Sequence, residues 1–346
     1  MFRYALATIG FVFSLPILGL IFLALPITTS GLGYVLGYLL TAIGLILAPR
    51  IQKYYVLVAI GVAIILLIAG VRVFRLQNTS NLQVVSLPQG GETYWINHLV
   101  DEQDILIPGE TLFHLIGGDS DHEHANLTSA FVNVYSEMRQ QGTFSSPVIS
   151  TYLNLQQPEH FDAVIIEPKT EPQFGFIFLH GYMGNVSAQC WVIAQAVKEL
   201  GGLTVCPSTV WTGAWWEPKG QQILEQTFDY LRGQGIRTIY LGGFSNGGFS
   251  IGRLISQLAE EEGLSGLIFI DGFINGSDVR KLDLPILIIE GTEDERVPVK
   301  AALQFVEEVG DLGTYVEINS DHFLIIKEPT LVQNAIATWL EDNFTP

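Results

Sequence analysis

Ser245 stands in Gly243-Phe244-Ser245-Asn246-Gly247, directly after the apolar run 238–241 and directly before a stretch with helical spacing. A strand-to-helix turn this sharp holds its central residue in a strained backbone conformation, and a side chain two positions away would strike the neighbouring strand or helix. The small flanking residues leave the hydroxyl standing clear. A serine hydroxyl is a poor nucleophile until an imidazole takes its proton during attack, and the imidazole needs a carboxylate to fix its tautomer and stabilise its cation. Two later apolar runs end in those groups: 285–290 leads into Gly291-Thr292-Glu293-Asp294, and 313–319 into Ser320-Asp321-His322. No other histidine follows His180, so Ser245, Asp294 and His322 are the residues that could supply the three groups acyl transfer needs.

These residues need rigid elements to position them. Apolar runs at 174–180, 203–206, 238–242, 266–270, 285–290 and 313–319 alternate with helical stretches at about 186–200, 221–234, 247–262, 298–309 and 328–343. Strands alternating with helices predict a parallel, doubly wound α/β sheet covered on both faces. In such sheets, reacting groups gather outside the carboxyl ends of the strands. The first run ends there in His180-Gly181-Tyr182-Met183-Gly184.

With those motifs in place, residues 149–346 resemble an α/β-hydrolase core, similar to its carboxylesterase, phospholipase-carboxylesterase and dienelactone-hydrolase branches. The resemblance rests on 180–184, on Gly243-Phe244-Ser245-Asn246-Gly247-Gly248, on Gly291-Thr292-Glu293-Asp294-Glu295-Arg296-Val297-Pro298 and on Asp321-His322, and it includes none of residues 1–148. It implies Ser245 as nucleophile, His322 as general base and then acid, and Asp294 as the group that orients His322. It also implies an oxyanion hole made by the backbone N–H of Asn246 and of Tyr182, with Met183 as the alternative. Losing one such donor typically costs about 3–4 kcal/mol. Asp271, at the preceding strand end, is the competing acid; Asp294 is preferred because Val297-Pro298 opens a helix after it. His180 precedes the oxyanion loop and reads as structural, and Asp321 reads as a loop charge. No cofactor and no metal are expected.

Charge divides the chain. It holds 17 Lys and Arg against 35 Asp and Glu, a net charge of −18, and is 48% hydrophobic. Residues 1–76 carry five of the basic side chains and no acid, because the first carboxylate is Glu92. The uncharged stretches between Arg3 and Arg50 and from 54 to 71 predict three membrane-spanning helices near 4–26, 32–49 and 54–71, each close to the roughly 20 apolar residues a span needs. Their apolar length exceeds that of a cleaved secretory signal. Arg3, Arg50 and Lys53 fall on one side and Arg72 with Arg75 on the other, which favours a cytoplasmic N-terminus and an extracytoplasmic domain after residue 76. The expected organisation is a multi-pass membrane region at 1–76, an extension or cover segment at 77–148 and the catalytic domain at 149–346. The acidic charge gives nucleic-acid binding no electrostatic support.

The 48 residues from Ser245 to Asp294 are nearly filled by one strand and a short helix, which leaves no room for a large inserted cap. Trp211, Trp215 and Trp216, in a loop at the carboxyl edge of the sheet, are expected to line an acyl or aromatic pocket. The two cysteines, Cys190 and Cys206, exclude a cysteine-rich scaffold, and sequence leaves open whether they meet. The tract Asp119-Ser120-Asp121-His122-Glu123-His124 has ligand-type side chains but no evident distant partner, and it reads as polar loop. The expected activity is serine hydrolysis of small or lipid-like carboxylic esters beside a bilayer. A peptidase or amidase on the same triad is the first alternative. A catalytically silent receptor or assembly protein on a hydrolase scaffold is the second.

Overall fold

The computed structural model describes residues 27–48, 51–75, 82–142 and 144–344. They form two compact units, one drawn from the chain up to Gln77 with His98–Thr128, the other from Asn78–Asn97 with Ser129–Pro346.

In the first unit, α1 (Thr29–Leu47) and α2 (Tyr55–Arg75) pack as a helical hairpin. Glycine sets how closely they approach: a Cβ on Gly61 would lie 2.4 Å from the Gly37 carbonyl oxygen, and one on Gly37 would lie 2.9 Å from that of Gly61. Small residues at a helix contact let apolar helices pack by backbone approach. Both helices are long and apolar enough to cross a membrane, with mean hydropathy 1.8 and 2.8, and Leu66, Leu67 and Phe74 stay exposed. They correspond to the expected spans at 32–49 and 54–71; the span expected at 4–26 lies outside the described residues.

The open end of the hairpin is tied to the start of α3 (Glu102–Leu115). Thr28 donates its backbone N–H and its hydroxyl to Asp104, the former at 2.7 Å. Tyr34 donates to the Leu99 carbonyl at 2.6 Å and Arg72 to the His98 carbonyl at 3.0 Å. Polar groups at the end of each apolar helix thus find partners where the chain returns to that unit.

The second unit is built on eight strands: β1 (Leu82–Leu87), β2 (Phe161–Ile166), β3 (Phe174–Leu179), β4 (Gly202–Pro207), β5 (Ile239–Phe244), β6 (Leu264–Ile270), β7 (Ile286–Gly291) and β8 (Gly313–Ile318). Their order is β1-β2-β4-β3-β5-β6-β7-β8. Strand β2 runs antiparallel to β1 and β4, and the pairs from β4 through β8 are parallel, which is the sheet of the α/β-hydrolase fold. Every residue of β2 to β5 and of β7 is buried, as strands between two helical layers should be.

The helices labelled from here are α4 (Leu127–Gln140), α5 (Ser187–Glu199), α6 (Pro218–Gly233), α7 (Asn246–Arg253), α8 (Val299–Val309) and α9 (Pro329–Asn343). On one face, Phe228 of α6, Ile251 of α7 and Phe305 of α8 share a buried cluster with Ile177, Leu241 and Phe269 of the sheet. The alternate side chains point the other way. There Tyr240 meets Trp339 of α9 edge-on at 5.7 Å, and α9 packs on α5.

Two readings are corrected. The segment 77–148 is more than a cover, since β1 is the sheet's first strand, paired from Leu82↔Ile166 to Leu87↔Phe161; the fold of the second unit therefore begins before residue 149. The helix expected over 247–262 ends at Arg253, and a separate turn follows at Ile255–Leu258.

Cys190 of α5 and Cys206 of β4 form a disulfide, with Cα atoms 6.2 Å apart. Both cysteines are expected to stay unlabelled by maleimide in denaturant until reductant is added. Replacing both by alanine is expected to lower the unfolding free energy by about 3 kcal/mol, the scale for a loop of this length.

Asp162 of β2 is buried, and its Oδ2 accepts from Asn97 at 2.6 Å and Ser150 at 3.3 Å. Burial outweighs these bonds and pushes the carboxyl up to about 7. The folded protein therefore holds this proton through a range in which the unfolded chain has released it. The stabilisation is complete below the unfolded pKa near 4 and is lost as pH rises to about 7, a change on the order of 4 kcal/mol. Relative to Asp162→Asn, the wild type is expected to lose stability between pH 4 and 7 and no further above it. Paired urea titrations across that range measure the difference; a constant difference would contradict the assignment.

Candidate active site

The elbow at Ser245 joins β5 to α7. Its residue sits at φ 53° and ψ −118°, a left-handed conformation that costs a non-glycine residue on the order of 1–3 kcal/mol. Backbone bonds hold it there: Ser245 N–H donates to the Ile270 carbonyl, and its own carbonyl accepts from Phe249, each at 2.9 Å. The flanking glycines are needed for close approach. A Cβ on Gly247 would lie 2.1 Å from the Leu179 carbonyl oxygen, and one on Gly243 would lie 2.4 Å from the Gly247 carbonyl carbon.

The loops after β7 and β8 are laced together before they reach the serine. Thr292 donates its N–H to Ile318 and Glu293 to Ser320, both at 2.9 Å, which draws the two strand ends into register. Asp294 Oδ1 accepts the N–H groups of Arg296 (2.7 Å) and Val297 (2.9 Å), leaving Oδ2 for His322 Nδ1 at 2.7 Å. His322 Nε2 lies 3.0 Å from Ser245 Oγ. The imidazole packs on the Phe244 ring at 5.0 Å, and both His322 and Asp294 are buried. Next to it, Asp321 accepts from the Phe323 N–H and pairs with Lys327, so this residue, expected as a loop charge, is a buried anchor of the histidine turn. The structure thus brings Ser245, His322 and Asp294 into one hydrogen-bonded series.

Two further carboxyls lie behind Asp294. Asp271, at the end of β6, accepts from the Gly291 N–H at 2.9 Å and is fully buried. Burial, then the charges of Asp294 and Glu290, holds its carboxyl well above the usual range. Glu290 of β7 is likewise buried, and burial with the Asp294 charge pushes it up to about 8. Both therefore favour the neutral acid at neutral pH, and it is Asp294 that faces His322 Nδ1. Sequence reasoning passed over Glu290; its signal was a lone acid ending the apolar run 285–290.

The loop after β3 lies against the elbow, because a Cβ on Gly181 would meet the Phe244 oxygen at 2.8 Å and Ser245 Cβ at 3.0 Å. His180 is buried, and burial lowers its imidazole to about 4, so it is neutral. Its Nδ1 donates to the Gly181 carbonyl at 2.9 Å and its Nε2 accepts the Thr209 N–H at 3.4 Å, a structural role. Tyr182 is half-exposed and Met183 has φ 81°. Asn246 is the first residue of α7, so its N–H has no acceptor within the helix; its side chain donates to the Thr212 carbonyl at 2.8 Å.

The tryptophans separate, which corrects the expected pocket. Trp215 is fully buried, with its Nε1 donating to the His180 carbonyl at 3.0 Å; it supports the loop from beneath and lines no open surface. Trp216 packs against the core, with the Arg253 guanidinium 4.2 Å above its ring. Trp211 alone stays at the rim, exposed and edge-on to Tyr182 at 4.7 Å.

Neither a family model nor a curated protein matches the chain. Among solved structures, it is similar to Est1E from Butyrivibrio proteoclasticus, at 18% identity and TM-score 0.45 over 53% of this chain and 94% of that one. It is also similar to an alpha-beta serine hydrolase homologue from Coxiella burnetii, at 19% identity and TM-score 0.44 over 52% of this chain and 91% of that one. A third is XC6422 from Xanthomonas campestris, described as an a/b serine hydrolase without lid, at 18% identity and TM-score 0.43 over 55% and 94% of the two chains.

Proposed function

We propose that the chain is a membrane-anchored serine hydrolase that cleaves carboxylic esters through an acyl-enzyme. The observation that carries this reading is the series Ser245 Oγ to His322 Nε2 (3.0 Å) and His322 Nδ1 to Asp294 Oδ2 (2.7 Å), set on a strained elbow at strand ends. Ser245 Oγ attacks the ester carbonyl as His322 Nε2 takes its proton. Asp294 accepts the Nδ1 hydrogen bond and stabilises the imidazolium. Negative charge builds on the former carbonyl oxygen, where the N–H of Asn246 and that of Tyr182 or Met183 receive it, aided by the positive end of α7. When the tetrahedral adduct collapses, His322 returns the proton to the departing alkoxide and the alcohol leaves. Water then repeats the sequence on the acyl-serine, giving the acid and restoring Ser245.

Two apolar helices in the first unit support an anchor that keeps the site near acyl chains. The disulfide favours an extracytoplasmic site, as does the balance of Arg3, Arg50 and Lys53 on one side of the expected spans against Arg72 and Arg75 on the other. Trp211 and Tyr182 form the rim at which an acyl chain or an aromatic alcohol would rest.

A substrate panel tests the reading. The detergent-solubilised full chain is expected to cleave p-nitrophenyl esters, with Trp211→Ala altering KM across acyl lengths more than kcat. Turnover of peptide anilides in preference to esters would replace the esterase reading by the amidase one, and turnover of neither would favour the silent scaffold.

A further inference from the structure

A second group of titratable side chains takes no part in the chemistry above. Glu110 and His114 stand one turn apart on α3, and the chain then doubles back through Gly117, at φ 78°, to bring Asp119 and His124 against them. His114 Nδ1 lies 3.0 Å from Asp119 Oδ1. His124 Nδ1 lies 2.7 Å from Glu110 Oε1 and 3.9 Å from Asp119 Oδ2. The two imidazoles are stacked, with centroids 4.0 Å apart and planes 5° from parallel. One donor atom from each of His114, Asp119 and His124 falls within 4.8 Å of the others.

The sequence tract lacked a distant partner only because its partners are on α3. Their polar atoms are not fully used. The Asp119 side chain is 0% exposed and that of Glu110 is 2%, yet Asp119 Oδ2 and Glu110 Oε2 have no hydrogen-bond partner. Charge makes the arrangement costly as it stands. With neutral histidines, each buried carboxylate accepts one imidazole hydrogen bond but meets no counter-charge, and burial raises the Glu110 carboxyl; with both histidines protonated, two cations lie face to face at 4.0 Å. A divalent ion removes both difficulties, because it binds neutral imidazoles and balances two carboxylates, once one ring turns out of the stack so that both nitrogen lone pairs meet the ion.

We propose that His114, Asp119 and His124 ligate a divalent transition-metal ion of the zinc class, with Glu110 holding His124 and supplying the second negative charge. Imidazole nitrogen favours zinc-class metals over calcium or magnesium. A carboxylate behind a ligand histidine orients the ring and raises its basicity. The rings of His114 and His124 are 22% and 26% exposed, so the ion has a route in from solvent. Bound there, it would staple the turn after α3 to that helix, within the unit that carries the two apolar helices.

Zinc uptake by the full chain in detergent tests this. After chelation, equilibration with Zn²⁺ and desalting, the wild type is expected to retain about one zinc per chain. His114→Ala with His124→Ala should abolish retention, and Glu110→Gln, which conserves volume, should weaken it at least about tenfold. His322→Ala is the control for the carboxylate and histidine cluster at the triad and should leave retention unchanged. Zinc should raise the melting temperature of the wild type and of His322→Ala but not of the double variant, whose fold is checked by circular dichroism. If the double variant does not fold, Glu110→Gln carries the test alone. No retained zinc in the wild type, undiminished retention in Glu110→Gln or in a folded double variant, or retention lost in His322→Ala would overturn the proposal.

Discussion

Ser245→Ala is expected to lower kcat for ester cleavage by about 10⁵- to 10⁶-fold, with the protein still folded and still binding substrate. Removing Oγ eliminates the covalent route, and what remains is attack by water on an ester polarised by the backbone donors. The proposed donors lie in the loop after β3 and in the first turn of α7, and neither depends on the serine hydroxyl. The elbow also keeps its shape: alanine carries the same Cβ, and the bonds to Ile270 and from Phe249 are made by the backbone. His322→Ala should fall about as far, and the double variant no further, because the two residues act as one unit. Burst kinetics with a p-nitrophenyl ester give the number of functional sites, so that a small contaminating activity is not mistaken for residual turnover.

Asp294→Asn is expected to lower kcat by about 10⁴-fold while leaving KM nearly unchanged. The amide keeps the volume of the carboxyl but removes the charge that stabilises the imidazolium, and it favours the tautomer with the proton on Nε2, which cannot accept from Ser245. Asp271→Asn is the informative comparison. Asp271 sits in the same buried group, and its partner is the Gly291 N–H. Burial already favours its uncharged form, so the amide exchanges one neutral group for another. Its effect on kcat should be about tenfold or less. If Asp271→Asn matched the loss in Asp294→Asn, the acid would have been assigned to the wrong strand end. Pre-steady-state acylation rates for the two variants separate this outcome from a slow product-release step.

The placement of Ser245, Asp294 and His322 was legible because each follows an apolar strand, and a parallel sheet brings its strand ends to one edge. Six of the eight strands announce themselves in this way. The other two do not. In β2 the charged Asp162 interrupts Phe161–Ile166, and in β1 Gln83 and Ser86 dilute a six-residue edge strand, so neither carries a continuous apolar signal. Their antiparallel register joins segments far apart in the chain, which local pattern does not encode.

The tryptophan loop illustrates a different limit. Three aromatic residues within 211–216 look equivalent in sequence, but Gly213 turns at φ 69° directly beneath the carbonyls of His180 and Gly181. That turn sends Trp215 into the core and leaves Trp211 at the rim. Likewise, Asp119 and His124 read as polar loop until the turn at Gly117 sets them against Glu110 and His114.

The most direct measurement of the central claim is the site of fluorophosphonate modification in the solubilised full chain, read by intact mass and peptide mapping. One adduct per chain is expected, on Ser245, with none formed in Ser245→Ala and little in His322→Ala. An adduct on another residue, or one that persists unchanged in Ser245→Ala, would contradict it.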